Sequence, residues 1–336
     1  MLLRILLVVA VVVGGFGVWA FTSYTDPPVD PDWAVAGWPG EVAPGAVGVR
    51  FTGTSTLLFD DGKTAWMVDG WFTRPGPLKL LLGGIEPDLA AIEAGLARNA
   101  VEELAAVIPV HNHYDHAMDS PEVARRTGAL LLGSETTANI ARGVGLAEEQ
   151  IRVVRDRERL RFGRFAIRLV ETKHFEFPDP RMRERALGDP HLDAPLVPPV
   201  GAFDYPLGVP YALHVEHPRG SFLVQGSAGY VEGAFEGLEA DTVFLGVGGL
   251  GTQTVAYREA YWRETVERVG AKRVVLIHWD SLTGPIEGPF RGPVRIMSFL
   301  SSGGDQLLAF LERKSLEDPE LELWTLPRYE EVLLYR

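Results

Sequence analysis

No cysteine occurs among the 336 residues. That absence excludes disulfides, thiolate metal sites and a cysteine nucleophile together. Any metal site must therefore be assembled from histidine, carboxylate and hydroxyl. Positive charge is also in short supply, with 32 Lys and Arg against 45 Asp and Glu and a formal net charge of −13. A surface of that sign repels a phosphate backbone, so nucleic acid is not an expected partner. No repeat of fixed period and no clear internal boundary breaks the chain. What remains is a globular composition, 46% hydrophobic and 23% charged, with enough apolar side chains for a sizeable core.

The first 21 residues, MLLRILLVVAVVVGGFGVWAF, carry one cation, Arg4, and then an uncharged run from Ile5 to Phe21. A run of this length lies at the short end of what spans a hydrocarbon core of about 30 Å. It is slightly long for the apolar region of a signal peptide, and Val18-Trp19-Ala20 is only a weak cleavage site. The favoured reading is an uncleaved single-pass membrane anchor, with a cleaved signal as the alternative. Arg4 precedes the run, whereas Asp26, Asp30 and Asp32 follow it. The basic end stays in the cytoplasm, and the rest of the chain is expected on the other side. Residues 22–46, rich in Pro, Gly and Asp, read as a linker, and 47–336 as one domain.

Within that domain, apolar β-branched runs flank Asp60-Asp61-Gly62, a hairpin signal whose second strand ends at Asp69-Gly70. EPDLAAIEAGLARN has helical composition. SPEVARRTGA reads as a helix with Ser120 as its cap and Pro121 in its first turn. RLRFGRFAIRLVETKHF and YALHVEHPRGSFLVQ read as further hairpins. DTVFLGVGG and RVVLIHWDS read as strands around the helix YREAYWRETVERVG. The proline-rich stretch 177–210 is the most irregular and long enough to border a site. Strands mixed with helices throughout predict an α/β or α+β fold of more than one layer.

The densest chemistry lies in IPVHNHYDHAMD, residues 108–119. His111 and His113 follow a strand-like run, where residues two apart face the same side and converge on one ion. Asp115 and His116 lie one turn farther on. Imidazole and carboxylate in this pattern suit a divalent ion such as zinc. His174 and His278 each close a strand, which predicts that these strand ends gather at one rim of a sheet. His191, His214 and His217 lack that setting and are left out.

The pattern H-x-H-x-D-H, with the later histidines and the entry hairpin ending in Asp69-Gly70, resembles the metallo-β-lactamase superfamily. HNHYDHAMD, GSAGY and HWDS are most similar to the branch of N-acyl-phosphatidylethanolamine phospholipase D and the ascorbate-6-phosphate lactonases. The resemblance implies a four-layer αββα sandwich behind one N-terminal apolar helix. It also implies a first metal on His111, His113 and His174, and a second on Asp115, His116 and His278. The cofactor would be one or two zinc ions, with manganese or iron(II) as alternatives. Relatives carry a metal-bridging aspartate where this chain has Ser227, and a neutral hydroxyl is a poor substitute. Asp280 and Glu176 are the nearby carboxylates weighed as replacements, and both read more simply as ordinary loop residues.

The expected function is that of a membrane-anchored, metal-dependent hydrolase. A divalent ion brings the pKa of its water toward about 7, and the hydroxide attacks a phosphodiester or a lipid-derived ester or amide. Asp115 would orient the nucleophile and His278 would face the leaving group, while Tyr114 packs behind the ligands. The alternative is a non-catalytic or mononuclear metal-binding relative, a sensor or assembly factor, because of Ser227. The seven arginines between Arg152 and Arg168 read as the solvated face of a hairpin. The run VPPVGAFDYPLGVPY is expected to wall a substrate groove.

Overall fold

A computed structural model describes residues 2–40, 42–300 and 303–336, without the side chains of 2, 3, 5–10, 299 and 300. Strands β1 (Val47–Gly53) and β2 (Thr56–Asp60) pair antiparallel, as do β2 and β3 (Ala65–Val68). The β2–β3 turn uses the chemistry its sequence announces. Gly62 takes a positive φ of 75°, and its N–H donates to the Asp60 carboxylate at 2.7 Å. Strands β4 (Ala106–Ile108), β5 (Leu130–Gly133) and β6 (Ile151–Val153) continue this sheet in parallel.

Strands β7 (Arg159–Phe162), β8 (Phe165–Glu171), β9 (Tyr211–His217) and β10 (Gly220–Gln225) form antiparallel pairs in a second sheet. There β11 (Thr242–Gly246), β12 (Arg273–Ile277) and β13 (Glu322–Trp324) add in parallel. Strand β14 (Glu331–Tyr335) returns to pair with β1, so among the described residues each sheet has seven strands.

The helices are α1 (Leu2–Thr22), α2 (Pro77–Leu82), α3 (Leu89–Arg98), α4 (Tyr114–Ala117) and α5 (Ser120–Thr127). They continue with α6 (Glu135–Gly143), α7 (Pro180–Leu187), α8 (Val255–Trp262), α9 (Arg295–Leu300) and α10 (Gly304–Glu317).

Because strand side chains alternate, each sheet offers two apolar faces to bury. The inner faces meet through aromatic rings: Phe59 stacks on Phe222 at 4.5 Å between centroids and meets Phe244 edge-on at 5.1 Å. On the outer face of the first sheet, Leu58, Met67, Val107 and Leu131 pack against Ile92 and Leu96 of α3, Val123 of α5 and Ala141 of α6. Trp262 of α8 and Phe310 and Leu311 of α10 join the core from the side of the second sheet. This mixed α/β arrangement of two seven-stranded sheets agrees with the expected αββα layering.

Three local readings change. Helix α5 is capped at Asp119 rather than Ser120, and no side chain closes the cap. The Ser120 hydroxyl instead donates to the Asp69 and His116 carbonyls at 2.5 and 2.9 Å. Stretch 177–210 is not irregular throughout, since it holds α7, whose N-terminus is capped by Asp179 through the Met182 N–H at 2.8 Å. The lead-in 22–46 runs along the domain, with Val29, Trp33 and Val35 against the core and bridges from Tyr24 to Val294 and Ala34 to Thr325.

The expectation of an N-terminal anchor falls largely on side chains outside the described residues. Among the described residues, no helix is long and apolar enough to cross a membrane.

Buried Asp119 links α5 to the chain after β3: its Oδ2 accepts from the Phe72 and Thr73 N–H groups at 2.8 and 2.6 Å, while Oδ1 has no partner. Burial outweighs those two bonds and pushes the carboxyl up to about 6. An unfolded aspartate titrates near 3.9, so between roughly pH 4 and 6 the folded state keeps a proton that the unfolded state has lost. Stability therefore falls as pH rises through that window, by up to about 3 kcal/mol. Asp119→Asn keeps an acceptor oxygen and removes the ionisation. Urea unfolding of the full chain should show the variant losing this pH dependence and exceeding the parent above pH 6; an unchanged slope would refute the account.

Candidate metal centre

Four strand ends supply the centre. After β3 the backbone turns through Asp69 and Gly70, both at positive φ (58° and 74°). After β4, Val110 leads into His111, and His113 precedes the single turn of α4, which carries Asp115 and His116. The segment after β8 delivers His174, and the residue after β12 is His278, held at a positive φ of 59°. The His278 N–H donates to the Thr54 carbonyl at 2.5 Å, which ties its turn to the β1–β2 hairpin.

The six side chains form two groups. The rings of His111, His113 and His174 make a near-equilateral triangle, with centroids 4.8, 5.0 and 5.1 Å apart. Asp115, His116 and His278 make the second: His278 Nε2 lies 3.2 Å from His116 Nε2 and 3.3 Å from Asp115 Oδ2. Within each group the donor atoms lie within 4.8 Å of one another, close enough to hold an ion. The groups adjoin, with the His111 and His116 rings 3.8 Å apart.

The nitrogens pointing away from these clusters fit the same use, because a metal-bound histidine normally secures its other nitrogen. His113 Nε2 meets the Ala186 carbonyl of α7 at 3.0 Å, leaving Nδ1 to face His111 Nε2 at 3.2 Å. His174 Nδ1 meets the Phe175 carbonyl at 2.8 Å. His116 Nδ1 meets Asp69 Oδ2 at 2.8 Å and the Ser55 hydroxyl at 3.1 Å.

Electrostatics separate the groups. Burial, joined by the other site histidines, pulls His111 well below the ordinary imidazole range. Burial and His113 do the same to His174. Both are neutral ligands-in-waiting at physiological pH. In the second group, burial alone would raise the Asp115 carboxyl, but His116 and His278 outweigh it and hold Asp115 far below the usual range. Burial opposes protonation of His116, yet Asp69 and Asp115 prevail and raise it.

The remaining expected residues separate. Ser227 is buried, and its hydroxyl has no hydrogen-bond partner. Its loop is wedged between two ligand-bearing segments: a Cβ on Gly226 would lie 2.4 Å from Val110, and one on Gly229 would lie 2.0 Å from the Lys173 carbonyl. Asp280 accepts from the Thr54 N–H at 2.6 Å and faces Arg74, so it belongs to neither group. Glu176 is exposed and pairs with Arg183 at 3.3 Å. Tyr114 packs edge-on against Trp71.

His214 and His217 lie in β9, meeting the Glu239 carbonyl and Asp61, away from the centre. Several of the Arg152–Arg168 side chains engage acids, as in Arg152–Glu158, Arg159–Glu216 and Arg164–Asp61.

Sequence reasoning missed Ser55, the Ala186 carbonyl and Arg74. The Arg74 guanidinium lies over the Trp71 ring at 3.7 Å and donates to Thr54 Oγ1 at 2.9 Å. Burial pulls it down to about 10, still a cation at neutral pH. No local pattern marks any of the three, because each acts across the fold.

No protein-family model and no curated protein sequence matches this chain. Solved structures do. Igni18, a novel metallo hydrolase from the hyperthermophilic archaeon Ignicoccus hospitalis, aligns with TM-score 0.52 and 15% identity over 87% of this chain and 99% of that one. An isothiocyanate hydrolase from Delia radicum gut bacteria gives 0.50 and 14% over 86% and 99%. CmlA, a diiron β-hydroxylase from Streptomyces venezuelae, gives 0.50 and 14% over 88% of this chain and 55% of its own. The chain therefore shares the fold of these proteins. None of the three is named as a phospholipase D or a lactonase.

The two oxygens of Asp69 serve different partners, so Asp69→Asn is a clean probe. An asparagine tolerates the left-handed backbone and can still accept from the Val110 N–H, which lies 2.9 Å from Oδ1. Its NH2 would then face His116 Nδ1 and favour the tautomer protonated on Nε2, the nitrogen needed as a ligand. In a zinc competition titration, one of two binding steps should weaken by about 10–100-fold. Two unaltered steps would show that Asp69 does not set the tautomer.

Proposed function

We propose that this chain is a metal-dependent hydrolase, carried at a membrane by residues 1–21 with its domain on the non-cytoplasmic side. Its substrate is a phosphodiester or a lipid-derived ester or amide. The observation that carries the reading is the pair of adjoining triads, His111/His113/His174 and Asp115/His116/His278, with three outer nitrogens already fixed. A divalent ion bound there supplies Lewis acidity and a water nucleophile near neutral pH.

The side chains supply the rest. His113 and His174, anchored from behind by carbonyls, keep their free nitrogens aimed inward. Asp115 remains ionised, so it would help hold an ion and orient a water. His278 retains 17% of its side-chain surface, more than Asp115 or His116, and faces the open side where the leaving group departs. Arg74, facing Asp280, places a buried cation near Asp115 that helps keep that carboxylate ionised.

A second reading rests on Ser227, whose buried hydroxyl binds nothing and brings no charge between the two groups. On that reading the chain holds one ion, or holds metal without turnover.

Elemental analysis of the full chain purified without chelator, together with turnover of bis(p-nitrophenyl) phosphate and an N-acyl amide, separates the two. About two ions per chain, with turnover abolished by His113→Ala, supports the hydrolase. Activity that appears only in Ser227→Asp supports the second reading. No bound metal after zinc, manganese or iron(II) is added back sinks both.

A further inference from the structure

Exposed large apolar side chains are normally scattered, as Leu316 is on α10. Around the metal centre they gather. Helix α2 buries none of its residues and exposes Leu78, Leu81 and Leu82, the last 85% accessible. Next to it, Ile85 and Val200 exchange backbone bonds at 2.7 and 3.1 Å, so the chain through Val197, 66% accessible, lies alongside. On the other flank stands α7, with Met182 exposed.

Two contacts fix this rim to the centre. Leu80 of α2 packs in one cluster with Leu192, Leu196, Val200 and Tyr114, the residue between ligands His113 and Asp115. The Ala186 carbonyl of α7 meets His113.

The two helices of the rim carry more cations than acids, while Asp189 and Asp193 lie in the segment that joins α7 to Val197 and Arg183 pairs with Glu176. Helix α7, PRMRERAL, carries three arginines against one glutamate, and α2 carries Lys79 and no acid, in a chain whose net charge is −13. Arg181, Met182 and Arg183 are all exposed. Apolar side chains beside cations are the composition that enters the headgroup boundary of an anionic bilayer.

The end of α1 points the same way. Tyr24, two residues beyond it, donates its hydroxyl to the Thr283 carbonyl at 3.0 Å, and neighbouring Leu282 packs into the cluster that holds Leu80. Val11, Val12, Val13, Phe16 and Val18 of α1 are exposed.

We infer that α2, the segment through Val197 and α7 form a collar that docks the metal centre's mouth against an anionic lipid surface. The collar admits an amphipathic substrate from the bilayer without that substrate crossing water. This goes beyond the hydrolase reading, and because docking needs no turnover, it can fail or stand by itself.

The lack of cysteine makes the test direct. Single-cysteine variants of the full chain, Leu81→Cys, Val197→Cys and Leu316→Cys, are labelled with an environment-sensitive dye and reconstituted into phosphatidylcholine–phosphatidylglycerol vesicles containing nitroxide lipids. The labels at 81 and 197 should shift to the blue and be quenched, while the label at 316 stays aqueous. Arg181→Glu with Arg183→Glu should lower the docked fraction by about fivefold for each reversed arginine. Labels at 81 and 197 as aqueous as the one at 316, or a chain that leaves the vesicles altogether, would overturn the collar.

Discussion

The Asp69 carboxylate is the constraint on which the centre depends. One oxygen takes the Val110 N–H and the other the His116 ring, at 2.9 and 2.8 Å. Both ends of the ligand-bearing segment after β4 are thus referred to one fixed group at the end of β3. A non-glycine residue in the left-handed region costs on the order of 1–3 kcal/mol and persists only where its surroundings demand it. Here three residues accept that strain within one contact network: Asp69, Thr54 and His278. Thr54 accepts from the His278 N–H and donates its own N–H to Asp280, so the β1–β2 turn braces the second sheet's contribution. The strain is distributed over the turns that must bring β1, β3 and β12 to one rim.

That convergence sets the electrostatics. A group of three imidazoles packed together and largely removed from solvent resists protonation, since each charged ring would meet the next in a poor dielectric. A group with Asp115, backed by Asp69, does the opposite and keeps His116 easier to protonate. Two adjoining groups built from neighbouring residues therefore offer an ion different ligand charge: none from the first triad and one negative charge from the second. Ser227, at the position where the resemblance implies an aspartate, adds no charge that would alter this inequality. An aspartate there would offset the repulsion between two cations; a serine leaves that task to Asp115 and to whatever anion arrives.

Much of this was legible in the sequence because the information is local. H-x-H-x-D-H encodes two geometries in six residues, extended spacing for His111 and His113 and a helical turn for Asp115 and His116. The strand-final positions of His174 and His278 predicted that they would join, and the structure brings them to the two groups. The sandwich was legible from strand and turn signals, notably Asp60-Asp61-Gly62. What escaped depends on contacts across the fold. Ser55 and Arg74 sit in ordinary surroundings and become meaningful only when the β1–β2 turn reaches the site, where Ser55 meets His116 and Thr54 meets Arg74. The cap of α5 was misplaced by one residue because Ser120 has better partners in the Asp69 and His116 carbonyls than in its own helix. Helix α7 was hidden among prolines, although Asp179-Pro180 is itself a helix-start signal.

Helix α7 joins what the sequence kept apart. It faces outward with arginines and a methionine, and inward with one carbonyl that sets the ring of His113. That carbonyl lies at the C-terminal end, where helical carbonyls lack intrahelical partners and need a donor. His113 satisfies this need, and the helix in return holds the ring's Nδ1 toward the first triad. A short, exposed helix has little stability of its own, so its position depends on that bond, on Arg183 with Glu176, and on Arg185 over Phe203 at 4.2 Å. Whatever surface the arginines meet therefore adds to the forces that keep His113 aligned. Docking at the rim and ligand geometry at the centre are two faces of one packing problem.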